Sequence, residues 1–177
     1  MQERGPVPTL SEAPTATAER DPRRRILVVV IAAVLVLAAD QITKQLAVDK
    51  LSNHDVHIVG PFSFALTYNS GIAFSLGRGL TVPIVVLVVA VVGALLWFVR
   101  SVPSLPAALA FGLIIGGACG NLSDRFFRGH HGQVVDFIAS TFWPTFNVAD
   151  ACVVCGCALL AVTLVFGHEP GRGEEKA

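Results

Sequence analysis

Apolar residues in this 177-residue chain gather into four long runs, near 26–46, 82–99, 105–122 and 148–166, separated by polar stretches. Each run approaches the ~20 residues that an α-helix needs to cross the hydrocarbon of a bilayer. Four such runs predict an all-α membrane protein with four transmembrane helices. The first run follows Arg23, Arg24 and Arg25 and resembles a signal peptide. It continues past Asp40 without a small-residue cleavage site, so it is expected to be retained.

The stretches between the runs carry their own patterns. Residues 47–80 alternate apolar and polar positions around Val56, Ile58, Phe62, Phe64, Leu66 and Tyr68, the period of short strands, which predicts a small β-sheet at the membrane surface. Residues 123–147 carry Phe126, Phe127, Phe137, Phe142, Trp143 and Phe146, aromatics that favour the headgroup region and suit a surface loop or lid. Residues 1–22 lack periodicity and are rich in Pro, Thr, Ala, Glu and Arg, as a disordered tail is. The expected organisation is a tail at 1–22, a membrane domain at 23–167 and a second tail at 168–177.

Charge orients this frame. Eight Lys and Arg (Arg4, Arg20, Arg23, Arg24, Arg25, Arg100, Arg172 and Lys176) fall on the side of the tails, and five (Lys44, Lys50, Arg78, Arg125 and Arg128) fall on the other. The positive-inside rule then places both termini in the cytoplasm and the two longer loops outside. At 53% hydrophobic and 15% charged residues, lipid is the expected solvent, and a net charge of zero gives no general attraction to nucleic acid.

Several chemistries can be weighed on residue type. Cys119, Cys152, Cys155 and Cys157 all sit in apolar runs, so they read as small packing residues rather than a disulfide framework or metal site. Gly112, Gly116 and Gly120 recur every four residues and predict a smooth helix face for close packing. No Glu occurs between Asp21 and His168, which removes the His-Glu-x-x-His zinc helix, and the pair His130 and His131 has no third ligand at suitable spacing. No metal or other cofactor is expected. A serine nucleophile such as Ser123, with His130 or Lys44 as base, lacks the turn motif that marks one.

Aspartates remain, and an Asp at the end of a membrane span calls for a partner or a function. Asp150 follows Phe146-Asn147-Val148-Ala149 at the mouth of the fourth run, where a helix N-terminus favours an anion; a capping carboxylate and a reacting one both fit. Asp136 lies in the apolar run Val134-Val135-Asp136-Phe137-Ile138, where desolvation favours its protonated form. Two carboxylates sharing one proton can activate water and protonate a departing amine. Asp124 competes for that role, although the neighbouring Arg125 suits it to a salt-bridged strut. Asp40 and Lys44, one helical turn apart, read as a mutual ion pair.

Together these segments resemble the bacterial lipoprotein signal peptidase family, signal peptidase II. The resemblance is carried by Asp40-Gln41-Ile42-Thr43-Lys44, by Asn69-Ser70-Gly71-Ile72-Ala73-Phe74 and by the segment from Gly116 to Arg125, which includes Gly120, Asn121 and Asp124. It extends through Val134-Val135-Asp136-Phe137 to Phe146-Asn147-Val148-Ala149-Asp150. It implies an aspartic endopeptidase of the bacterial inner membrane that removes signal peptides from diacylglyceryl-modified prolipoproteins, just before the lipidated cysteine. It also implies inhibition by globomycin-type cyclic peptides. Carried over, the dyad is Asp136 and Asp150, with Asn69, Asn121, Arg125 and Asn147 supporting the substrate or the dyad and Asp40 structural. The rival from another class is a small four-span transporter or scaffold; its polar residues would be expected at midplane, whereas here they gather at one face.

Overall fold

Residues 22–70, 81–102, 104–129 and 131–166 are described by a computed structural model. In order they form α1 (Pro22–Leu51), β1 (Val56–Val59), β2 (Phe62–Asn69), α2 (Thr81–Phe98), a short 3-10 turn (Val99–Ser101), α3 (Leu105–Phe127), β3 (Val134–Ser140) and α4 (Val148–Phe166). The fold is mostly helical, with one small sheet. Because α1 begins at Pro22, the tail expected over 1–22 yields its last residue to the helix. The rest of that tail, residues 167–177 and the Gly71–Phe74 part of the second motif lie outside the described residues.

Among the described residues three helices, α1, α3 and α4, are long and apolar enough to cross a membrane; Val85–Ser101, which takes in most of α2 and the 3-10 turn after it, is a shorter apolar stretch. Two expected boundaries move. α1 continues to Leu51, and α3 runs five residues past the expected 122 to Phe127. The added turn of α3 is polar in sequence, but Asp124 within it is fully buried, so tertiary bonds replace the apolar face that sequence periodicity seeks.

Since α1 is apolar all round from Ile26 to Ala39, its inward side is marked there by something other than greasiness. The buried residues Val29, Ala32, Val36, Asp40, Lys44, Ala47 and Leu51 fall every three or four positions, on one stripe. Leu27, Val34, Leu35 and Ile42 point outward. The stripe is small at one end and charged in the middle, the composition that lets helices meet closely in lipid.

α3 is the central helix, with α1 and α4 packed along it. Its glycines make this possible: a Cβ at Gly112 would lie 2.5 Å from Ala32 Cβ, at Gly116 2.7 Å from the Ala33 carbonyl oxygen, and at Gly120 2.6 Å from Asp40 Oδ2. On the other side, a Cβ at Gly117 would lie 2.5 Å from the Ala149 carbonyl oxygen. Cys119 packs against the α1–α3 core, but Cys155 and Cys157 are exposed on α4, which corrects the expectation that all four cysteines are packing residues.

The sheet is antiparallel in the order β1-β2-β3. β1 and β2 are the strands expected from the alternating pattern, and β3 joins them from the aromatic segment. Pairing of β2 with β3 slips by one residue: Phe64 opposes Ile138, yet Thr67 opposes Asp136. Ala65 and Leu66 therefore share the place opposite Phe137, a β-bulge that reverses which side chains of β2 share a face with Asp136. Without the slip Tyr68 would share that face; with it, Asn69 does.

Candidate active site

Asp136 and Asp150 reach the same place from different elements. Asp136 is in the middle of β3 and is 1% exposed; Asp150 is half-buried in the first turn of α4. Asn147, fully buried immediately before α4, joins them. Its side-chain Nδ2 donates to Asp136 Oδ1 at 2.6 Å, and its backbone N–H donates to Asp150 Oδ2 at 3.1 Å. The second oxygen of each carboxylate has its own amide donor. Asn69 Nδ2 bonds Asp136 Oδ2 at 2.8 Å, diagonally across the bulged strand pair, and Asn121 Nδ2 bonds Asp150 Oδ1 at 2.8 Å.

The environments of the two carboxylates differ. Burial pushes the Asp136 carboxyl up to about 6; the amides of Asn69 and Asn147 pull the other way, and the neighbouring Asp150 charge adds to the rise. Asp150 is less enclosed, half-buried in the first turn of α4 at the positive end of the helix. Close carboxylates with unlike surroundings are the arrangement that separates an acid from a base.

Behind this pair lies a buried ionic cluster. Lys44 on α1 bonds Asp40 Oδ2 at 2.8 Å and Asp124 Oδ2 at 2.9 Å, with all three side chains fully buried. Arg128 completes it with Asp124 Oδ1 at 2.9 Å. The cluster carries two anions and two cations, which satisfies the requirement that buried charges be paired. Each of its carboxylates also reaches the residue just before one of the paired aspartates. Asp40 Oδ1 accepts from the Ala149 backbone N–H at 2.9 Å, and Asp124 Oδ2 from that of Val135 at 3.0 Å. The cluster thus fixes the start of α4 and the path of β3 together.

Two apolar clefts open on either side of Asp150. One, of about 420 Å³, runs between α2 and the α3–α4 pair and is lined by Leu87, Val91, Ile114, Leu122 and Arg125. The other, of about 390 Å³, lies under the aromatic loop, lined by Phe62, Phe142, Trp143, Phe146 and Val154. That loop is tied down by Thr141 N–H donating to Pro61 O at 3.2 Å and by an edge-to-face contact of Phe62 with Phe142. A carboxylate pair of this kind can activate water, and the two greasy clefts beside it can take apolar chains.

Residues 32–166 match the profile of the family described as signal peptidase (SPase) II. The chain belongs to the signal peptidase II family. Proteins named lipoprotein signal peptidase are similar over most of it. That of Mycobacterium avium (strain 104) is 44% identical over 88% of this chain and 87% of its own length. That of Rhodococcus jostii (strain RHA1) is 42% identical over 92% and 87%. That of Mycolicibacterium smegmatis is 41% identical over 93% and 73%. Two solved structures of bacterial membrane enzymes superpose with TM-scores of 0.70 and 0.69, at 25% and 26% identity, covering 88% and 81% of this chain and 95% and 93% of theirs. Membership of the signal peptidase II family makes the chain a membrane protease and displaces the transporter reading.

Most residues singled out in the sequence meet here: Asp136, Asp150, Asn69, Asn121 and Asn147 in one bonded frame, Asp40, Lys44 and Asp124 behind it, and Gly120 where α1 crosses α3. One expectation is corrected. Asp124 is ion-paired as a strut should be, but with Lys44 and Arg128; the Arg125 guanidinium instead donates to Gly132 O at 2.9 Å and lines the first cleft. The serine alternative loses Lys44 as a base, because Lys44 is enclosed in the ionic cluster; the other candidate base, His130, lies outside the described residues. Among the described residues no group of three His, Cys, Asp or Glu is placed to hold a metal.

Sequence reasoning missed Gln41 and Arg128. Gln41 Nε2 bridges Asp40, Asp124 and the Gly120 carbonyl, and its Oε1 accepts from Arg128 Nη2 at 3.0 Å. The i, i+4 spacing of Asp124 and Arg128 was the available signal.

Proposed function

We propose that Asp136 and Asp150 are the catalytic dyad with which this chain removes the signal peptide from diacylglyceryl-modified prolipoproteins, cleaving just before the lipidated cysteine. The observation that carries the reading is the double role of Asn147, one residue that bonds both carboxylates and so fixes them as a pair. In this reading Asp136, the more deeply buried of the two, carries the shared proton when the dyad acts, and Asp150 acts as the base. Asp150 takes a proton from water as the water oxygen attacks the scissile carbonyl carbon, while Asp136 donates a hydrogen bond to the carbonyl oxygen. The tetrahedral intermediate collapses as the C–N bond breaks, and a proton passes to the departing α-amine of the lipidated cysteine. Asn69, Asn121 and Asn147 hold the carboxylates, and Arg125 faces the substrate cleft.

Apolar clefts on both sides of Asp150 support a lipid-bearing substrate, since acyl chains and a signal helix each need a greasy wall. α2 forms the second of four spans, residues 23–167 form the membrane domain, and both tails face the cytoplasm, with the dyad at the extracytoplasmic face of the inner membrane. Globomycin-type cyclic peptides occupy the same clefts and inhibit. The test is mass spectrometry of products from paired precursors with and without the diacylglyceryl group. The reading expects a new N-terminal lipidated cysteine from the first and no product from the second; equal cleavage of both would remove the lipid requirement.

A further inference from the structure

Lys44 does more than balance charge. Its ammonium bonds three oxygens, Asp40 Oδ2 at 2.8 Å, Asp124 Oδ2 at 2.9 Å and Asn121 Oδ1 at 3.0 Å. The first two make the ion cluster; the third leads to the dyad. Asn121 Oδ1 also accepts from Asn147 Nδ2 at 3.1 Å, so both donors fix the oxygen side of this amide and turn its Nδ2 toward Asp150 Oδ1. An ammonium has no lone pair, so the flipped amide would set NH2 against NH3⁺ and aim its oxygen at a carboxylate.

We propose that Lys44 is a positioning residue for peptide hydrolysis: acting through Asn121, it holds the Asp150 carboxylate in its reacting orientation and keeps a positive charge behind the dyad. This inference rests on Asp136 and Asp150 being the catalytic pair. The charged groups around the dyad are Asp40 and Lys44 on α1, Asp124, Arg125 and Arg128 on α3, and the two aspartates on β3 and α4. With Lys44 present the buried cluster is neutral. Without it one negative charge remains beside two carboxylates that must share a single proton, so they hold protons more tightly and the active range of pH moves upward.

The experiment compares full-length wild type, Lys44→Met and the charge-balanced pair Asp40→Asn/Lys44→Met, measuring kcat and KM per folded enzyme from pH 5 to 9 on a diacylglyceryl prolipoprotein, with Asp136→Asn as control. The Asn at position 40 still presents an oxygen to the Ala149 N–H, so the start of α4 stays held. In both variants kcat falls about tenfold or more, the scale on which a misplaced reacting group acts, while KM stays within about twofold. Lys44→Met also shifts the pH profile upward by about one unit, whereas the charge-balanced pair does not. Wild-type kcat and an unmoved profile in either folded variant overturn the proposal, as does failure of both to accumulate, which makes Lys44 a folding residue only. An inactive wild type or an active Asp136→Asn protein would instead remove the dyad reading beneath it.

Discussion

Asn147 and Asp150 bond each other reciprocally across the first turn of α4: the Asp150 backbone N–H donates to Asn147 Oδ1 at 2.9 Å, and the Asn147 backbone N–H donates to Asp150 Oδ2 at 3.1 Å. This is a capping box built from Asn and Asp. A cap and a reacting carboxylate are compatible readings of Asp150, because the cap uses one oxygen only. Oδ2 closes the helix, and Oδ1 faces Asn121.

The two roles of Asn147 separate in Asn147→Ser. Serine caps as well as Asn, so the start of α4 should stay formed, with stability lower by about 1–3 kcal/mol for the buried acceptors that lose the Asn147 amide. The donor to Asp136 is lost, so turnover should drop by about tenfold or more. A variant with wild-type turnover would show that the 2.6 Å bond to Asp136 is not needed.

Gly120→Ala tests how closely α1 must approach. The new Cβ would lie 2.6 Å from Asp40 Oδ2, so the helices must separate at the point where Asp40 holds the Ala149 N–H. Overpacking of this kind costs about 1–3 kcal/mol. At Gly93, a Cβ meets nothing within 4 Å. Melting curves in detergent should show Gly120→Ala clearly below wild type and Gly93→Ala at or above it.

Inserting one alanine between Tyr68 and Asn69 should leave Thr67 opposite Asp136 but carry Asn69 to the opposite face of the strand. Activity should be lost while the membrane helices stay folded by circular dichroism. Retained activity would mean that the diagonal bond from Asn69 is dispensable.

Ionising Asp136 destabilises the fold. Its folded value of about 6 lies above the ordinary 3.8, so the folded protein binds the proton more tightly than the unfolded chain. The stabilisation is present below pH ~4 and is lost as pH rises through about 6, a change of about 3 kcal/mol at most. Asp136→Asn cannot titrate there. Relative to that variant, wild type should therefore lose stability between pH 4 and 7; parallel melting curves across this range would count against the raised value.

Much of this arrangement was legible before any coordinates. The run 148–166 is α4 to the residue, and Val134-Val135-Asp136 announced a carboxylate in apolar surroundings, because greasy runs and their interruptions are local signals. What stayed hidden depends on distant chain segments. The bulge cannot be read from Phe62, Phe64, Leu66 and Tyr68, whose even spacing suggests an unbroken strand, because the slip exists only relative to β3. Asp124 was matched to Arg125 by adjacency, but neighbours on a helix point about 100° apart, and its partners come from one turn on and from α1. The inward face of α1 was equally obscure, since a helix that is apolar all round marks its packed side by small and charged residues.

The most direct test of the dyad is cleavage of a diacylglyceryl prolipoprotein by purified wild type, Asp136→Asn and Asp150→Asn proteins in detergent, each with and without a metal chelator. The account predicts cleavage by wild type alone, unchanged by the chelator, with both variants folded and inactive. Cleavage by either variant at the wild-type rate, or loss of wild-type activity on chelation, would contradict it.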